Sequence, residues 1–164
     1  MKKTILFFVC ALTLAYTNAQ NKVGGEWSIG PRFGGATGLS LKNHSTSNKS
    51  AIEIIGANSF DHKLDGFTIT GLYEKLSPMI DNAQLCALLG GGVNFNFGDR
   101  YLKVGFSGVL GFDWRLKAIP LSMQVDWMPT LFLTDKLPFS GINGAFTIRY
   151  IMNRKPLYRP TQQK

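Results

Sequence analysis

The chain has two histidines, His44 and His62. Hydrolysis of the Ser-His-acid kind needs an imidazole within reach of a serine and a carboxylate. His44 stands in a polar stretch with Ser45, Thr46 and Ser47, and His62 stands between Asp61 and Lys63. Both stretches read as exposed turns, neither on a strand beside a serine and an acid, so no catalytic residue is assigned. Asp61, His62 and Asp65 offer too few ligands at unhelpful spacing for a metal. Gly90-Gly91-Gly92 is followed by no Lys-Ser/Thr pair and no helix, so it is not a phosphate loop. Glycines within a strand instead mark a bend or close packing. No cofactor is expected. What remains with chemical character is a set of charges on alternate positions. The acids are Glu26, Glu53, Glu74, Asp113 and Asp126, and the bases are Arg32, Lys42, Lys103, Arg115 and Arg149. Five against five is a neutral set, and pairing rather than catalysis is what it can do.

The elements that must place these charges have a period of two. In Tyr101–Leu116 one face reads Leu102, Val104, Phe106, Gly108, Leu110, Phe112, Trp114, Leu116, and the other Lys103, Gly105, Ser107, Val109, Gly111, Asp113, Arg115. Leu121–Leu133 sets Leu121, Met123, Val125, Trp127, Leu131 and Leu133 against Ser122, Gln124, Asp126 and Thr130. Gly141–Met152 sets Ile142, Phe146, Ile148 and Tyr150 against Asn143, Ala145, Thr147 and Arg149. Ala83–Phe97 and Gly66–Glu74 alternate likewise, with Cys86 on the polar face. Glu26–Gly34, Leu39–Lys42 and Ala51–Asn58 do so more weakly. Turn signals separate the runs at Gly34–Gly38, Asn43–Ser50, Ser59–Asp65, Leu76–Asn82, Gly98–Arg100, Lys117–Pro120 and Thr134–Ser140. Seven connections imply eight strands, and an even count suits an all-β, antiparallel up-and-down barrel.

Length and composition frame this. The 164 residues suit one domain. With 45% hydrophobic and 17% charged residues the chain is not disordered. Residues 1–19 read as a signal peptide: Lys2 and Lys3, the apolar run Ile5–Leu14, then small residues before a cut at Gln20. Residues 20–152 form the barrel, and 153–164 a basic, disordered tail. The net charge of +8 loses two lysines with the leader and Arg154, Lys155, Arg159 and Lys164 with the tail, which leaves +2 on the barrel. Nucleic-acid binding is not supported, since the charge lies on no structured face. Cys86 alone makes no internal disulfide. After the leader no apolar run approaches the ~18 residues of a spanning helix, so any membrane crossing must use strands.

The polar faces are rich in Gly, Ser, Thr, Ala and Asn, without the charge density of an ordinary soluble surface. The apolar faces are long and bulky, with aromatics at Trp27, Phe33, Phe97, Trp114, Trp127 and Tyr150. Aromatic girdles belong at the two membrane interfaces. The apolar faces, including Leu102, Val104, Phe106, Leu110, Phe112, Leu121, Val125, Phe146 and Ile148, are therefore read as lipid-facing, and the charges as a paired network in a plugged lumen. The opposite assignment gives a soluble, exported lipocalin-like barrel with an apolar ligand inside.

Three stretches carry a family resemblance: Gly66–Glu74 (GFTITGLYE), Ile119–Pro129 (IPLSMQVDWMP) and Gly144–Tyr150 (GAFTIRY). The chain resembles the small outer-membrane β-barrel proteins of Gram-negative bacteria, in the OmpX-like and OmpA-barrel class. The resemblance covers most of residues 24–152 and says little about activity, because the fold hosts many roles. It implies residence in the outer membrane, contact with outer-membrane lipid, delivery by the barrel-insertion machinery, and both termini in the periplasm with Lys117–Pro120. Ser59–Asp65, Gly98–Arg100 and Thr134–Ser140 would then be extracellular. Phe146, Ile148 and Tyr150 resemble the alternating signal of a last strand, although twelve residues follow Met152 where such barrels usually end on an aromatic. A monomer is expected. Some barrels of this class modify lipid A with a His, a Ser and an acid near the outer rim. By the strand order His44 and His62 fall on opposite sides, so a non-enzymatic barrel is the reading adopted.

Overall fold

The computed structural model describes residues 25–45, 49–59, 66–80, 85–98, 102–116, 119–133, 139–141 and 143–152. The leader, the tail and the Asp61–His62–Asp65 group lie outside the described residues. Ten strand segments follow in order: β1 (Glu26–Gly34), β2 (Ala36–His44), β3 (Ser50–Ser59), β4 (Phe67–Pro78), β5 (Leu85–Phe97), β6 (Leu102–Arg115), β7 (Leu121–Trp127), β8 (Thr130–Phe132), β9 (Phe139–Ser140) and β10 (Gly144–Ile151). Each pairs antiparallel with its neighbours, and β10 returns to β1, which closes the sheet. The result is an eight-stranded antiparallel barrel, because four of the segments make two staves.

Stave seven is β7 with β8. Pro129 has no N–H to give, yet its carbonyl accepts from Gly108 N at 2.9 Å and the register to β6 runs through it unchanged. Stave eight is β9 with β10, and here one residue is extra. Trp127 pairs with Gly144 but Thr130 pairs with Ser140, so three steps on one side face four on the other. This is a bulge. It explains why the inward face changes from Ser140 to Asn143 and Ala145.

The register fixes the barrel's shape. Met123 pairs with Ile148, which meets Pro31 in the register that joins Ile29 to Tyr150 and Arg32 to Thr147. The path continues through Leu39, Gly56, Ile69, Phe95 and Val104, whose carbonyl accepts from Leu133 N. One circuit ends ten residues further along the stave it left. With strands ~4.8 Å apart and a rise of ~3.3 Å per residue, that stagger gives a tilt of roughly 40° and a backbone radius of about 8 Å. Such a bore is filled by side chains.

Two strands differ from their expected limits. β2 was expected only over Leu39–Lys42, with turns on both sides, but it runs from Ala36 to His44. It offers few apolar residues to mark it, and pairing on both edges by β1 and β3 extends it. β4 was expected to end at Glu74, but it continues to Pro78 against Cys86 of β5, with Leu76 turned inward.

Close approach between β4 and β5 depends on glycine. A Cβ at Gly92 would strike the carbonyl oxygen of Gly71. Gly92→Ala should therefore push these staves apart and cost about 1–3 kcal/mol, as overpacking does. A lower urea midpoint, with the same slope, is the measurement.

Candidate functional site: the charged interior

Alternation sorts the side chains by face. On the outside lie Leu102, Phe106, Leu110, Phe112, Val125 and Phe146, all exposed, and Val104, Leu121 and Ile148, half-buried. Phe106, Leu110 and Val125 are each more than half exposed, at 56%, 54% and 56%. Trp27, Phe33, Phe97, Trp114, Trp127 and Tyr150 also face outward and are exposed. Trp27, Trp114 and Tyr150 stand at the rim that carries both ends of the barrel chain. Phe33 and Phe97 stand at strand ends on the other rim. Trp127 is away from any stave end, beside the bulge, where its indole donates to Gly141 O at 2.6 Å.

Inside, a layer of charge crosses the bore. Arg149 of β10, Glu53 of β3 and Lys42 of β2 have no exposed surface. Arg149 forms an ion pair with Glu53. Its Nε donates to Ser40 Oγ at 2.6 Å, and one terminal nitrogen donates to Gln124 Oε1 at 2.9 Å. Ser40 Oγ donates onward to Glu53 Oε1 at 2.6 Å. Arg32 of β1 forks onto Asp126 of β7 with two bonds of 2.7 and 2.6 Å, the strong bidentate form. Gln124 Nε2 donates to Asp126 Oδ2 at 2.9 Å and so ties the two arginine pairs together.

Lys42 connects the remaining acids. Its ammonium donates to Asp113 Oδ2 at 2.8 Å and to Gln124 Oε1 at 2.7 Å. Glu74 Oε2 lies 2.6 Å from the same nitrogen, at an angle too poor for a hydrogen bond. His44 Nε2 lies 3.3 Å from Asp113 Oδ2. The exposed turn expected for His44 is thus corrected: it is a buried side chain at the end of β2, beside an acid. The longer β2 carries it inward with the parity of Ser40 and Lys42.

The ten charges expected to form one network fall into three groups. Arg32, Lys42, Glu53, Glu74, Asp113, Asp126 and Arg149 share the central layer. Arg115 and Glu26 meet at the rim with the chain ends, 3.4 Å apart and less deeply buried. Lys103 is half-buried toward the other rim, opposite Asn96, with contacts of its own. Parity gives the face of a residue and not its height along the bore, which is why one group became three.

Above the charged layer, toward Lys103, the interior is neutral. Asn94 Nδ2 donates to Thr70 Oγ1 at 2.7 Å and Asn96 Nδ2 to Thr68 Oγ1 at 3.0 Å. A cavity of about 10 Å³ lies among Thr68, Thr70, Asn94, Thr130 and Phe132, about the room one water needs. Apolar side chains also point inward: Ile55, Leu72, Leu76, Leu88, Val109 and Met128. Cys86 is buried with them.

Chemically, the layer is a set of donors and acceptors turned on one another. Among the described residues no group of three or more His, Cys, Asp or Glu is placed to hold a metal. Among them, too, no helix is long and apolar enough to cross a membrane, which says nothing of a barrel. Comparisons with protein-family models, with curated proteins and with solved structures found no match.

Proposed function

We propose that the chain is a non-enzymatic integral barrel of the Gram-negative outer membrane, with a lumen closed by its own ion pairs and a structural, surface-interaction or envelope-maintenance role. One observation carries this reading. On the outward faces of the described strands Lys75 is the single charge, while seven charged side chains fill the central bore. Water is a poor solvent for the first surface, and hydrocarbon is a good one. A soluble monomer rarely exposes an apolar patch beyond a few hundred Å², and here the apolar face runs around every stave.

Three further features support it. Closure leaves the staves no free edge, as hydrocarbon requires of a spanning sheet. The central staves, 12 to 14 residues long at a tilt of roughly 40°, are long enough to cross a bilayer. The leader expected over residues 1–19 supplies export. A closed bore supports a sealed barrel over a porin: the charges across it are held in pairs, and the cavity beside them has room for about one water.

The test is fractionation followed by electrical recording. The protein should sediment with outer membranes and shift on gels when boiled. In planar bilayers it should show no steady conductance of porin size. Recovery as a native soluble protein would overturn the membrane reading and favour the lipocalin-like one, whereas a large steady conductance would overturn the sealed bore alone.

A further inference from the structure

We propose that the rim bearing the barrel's chain ends holds the phosphate of an anionic phospholipid between Lys49 and Lys75. The inference rests on the membrane reading above and adds a headgroup preference to it. Lys75 stands near the end of β4, paired with Ser50 of β3, so Lys49 immediately precedes its partner. A bond from Leu76 N to Lys49 O, 2.8 Å, fixes the two strands to each other at this point. Both lysines are exposed, and none of the ion pairs among the described residues involves either one.

The carboxylates nearest in the sequence and at this rim are already engaged. Glu74 adjoins Lys75 but faces the bore, against Lys42. Glu26 is committed to Arg115. On the outer face Lys75 has Tyr73 two residues inward and Ser77 two residues toward the rim, and Leu89 is its neighbour on β5. A lysine on an apolar wall lays its stem along that wall and brings its ammonium to the headgroup level. What it meets there is phosphate. A zwitterionic headgroup carries its own cation, which competes for that phosphate. An anionic headgroup does not, and each lysine near an anionic surface contributes roughly five-fold in binding. Two ammonium groups on adjoining strands therefore select the anionic lipid.

The experiment uses the purified full chain. Insertion into pure phosphatidylcholine vesicles is scored first, and it reads the membrane proposal by itself. The protein in neutral detergent is then given equimolar phosphatidylglycerol and phosphatidylcholine, and retained lipid is counted by native mass spectrometry. Phosphatidylglycerol should be retained at least ten-fold over phosphatidylcholine. The ratio should fall toward one in K49Q/K75Q and persist in K49R/K75R. All variants keep residues 153–164, so the four basic residues there cannot produce the difference. Equal retention by the unaltered protein, or an undiminished preference in K49Q/K75Q, overturns the site even where insertion succeeds. Failure to insert into either lipid overturns the membrane reading and this inference together.

Discussion

Arg149→Met is expected to destabilise the folded barrel by about 3–5 kcal/mol, the cost of leaving a buried charge without its partner. The Met side chain has similar length and no charge, so little of the effect comes from volume. What it removes is the cation facing Glu53, together with the bonds to Ser40 and Gln124. Glu53 is fully buried, and Gln124 Nε2, at 3.4 Å, is a weak substitute. Removing both charges, in Arg149→Met with Glu53→Met, should recover most of the loss, since an apolar pair needs no compensation. Urea unfolding in vesicles, followed by the boiled and unboiled gel bands, gives all corners of the cycle. A single-variant loss under about 1 kcal/mol would mean that Glu53 is solvated, in the range of exposed pairs. The bore would then be wet, and the sealed-lumen reading would fail with it.

This cycle also shows what the sequence could say. The parity of Glu53, Arg149, Arg32, Asp126, Lys42, Asp113 and Glu74 was legible, because the bulky residues on the alternate positions left only one face for charge. The closed eight-stranded architecture was legible from the same alternation and the turns between the runs. Partners were not. Arg149 is joined to Glu53 across the bore from staves far apart in the chain, and that meeting depends on the ten-residue stagger, which no single strand encodes. Ser40, Gln124 and His44 were missed for a simpler reason. Their parity matched Lys42 and Asp126, but they carry no charge at neutral pH or, for His44, sat in a stretch too polar to read as strand. The edge of β2 was set by backbone pairing with β1 and β3 rather than by its side chains. The bulge at Gly141–Asn143 was likewise hidden, since one extra residue between Ser140 and Gly144 reads as part of a turn.

Leu110→Arg carries the other large effect, and it acts on the opposite face. Leu110 points outward from β6 between Leu89 of β5 and Trp127 of β7, several residues from either end of its stave. If that wall meets hydrocarbon, an arginine there should cost about 2–4 kcal/mol, the range for a cation near the bilayer midplane. The same residue at Ser77, beside the rim, should cost no more than about 1 kcal/mol, because it can reach the interface. The native Lys75 close by already shows a cation accommodated at that level of the wall. Phe106→Arg should behave like Leu110→Arg, which guards against a fault special to one site. The readout is again the urea midpoint in vesicles, with the folded fraction after insertion as an independent measure. Depth is the variable that decides: a membrane wall predicts a penalty that falls from Leu110 to Ser77. A wall in water predicts near-neutral effects at both, since surface changes usually stay within ±0.5 kcal/mol. The arginine at Leu110 leaves the interior pairs untouched, so a loss there cannot be assigned to the charged layer. A flat profile would leave the inward ion pairs as they are and return the outer face to an aqueous or protein-covered setting.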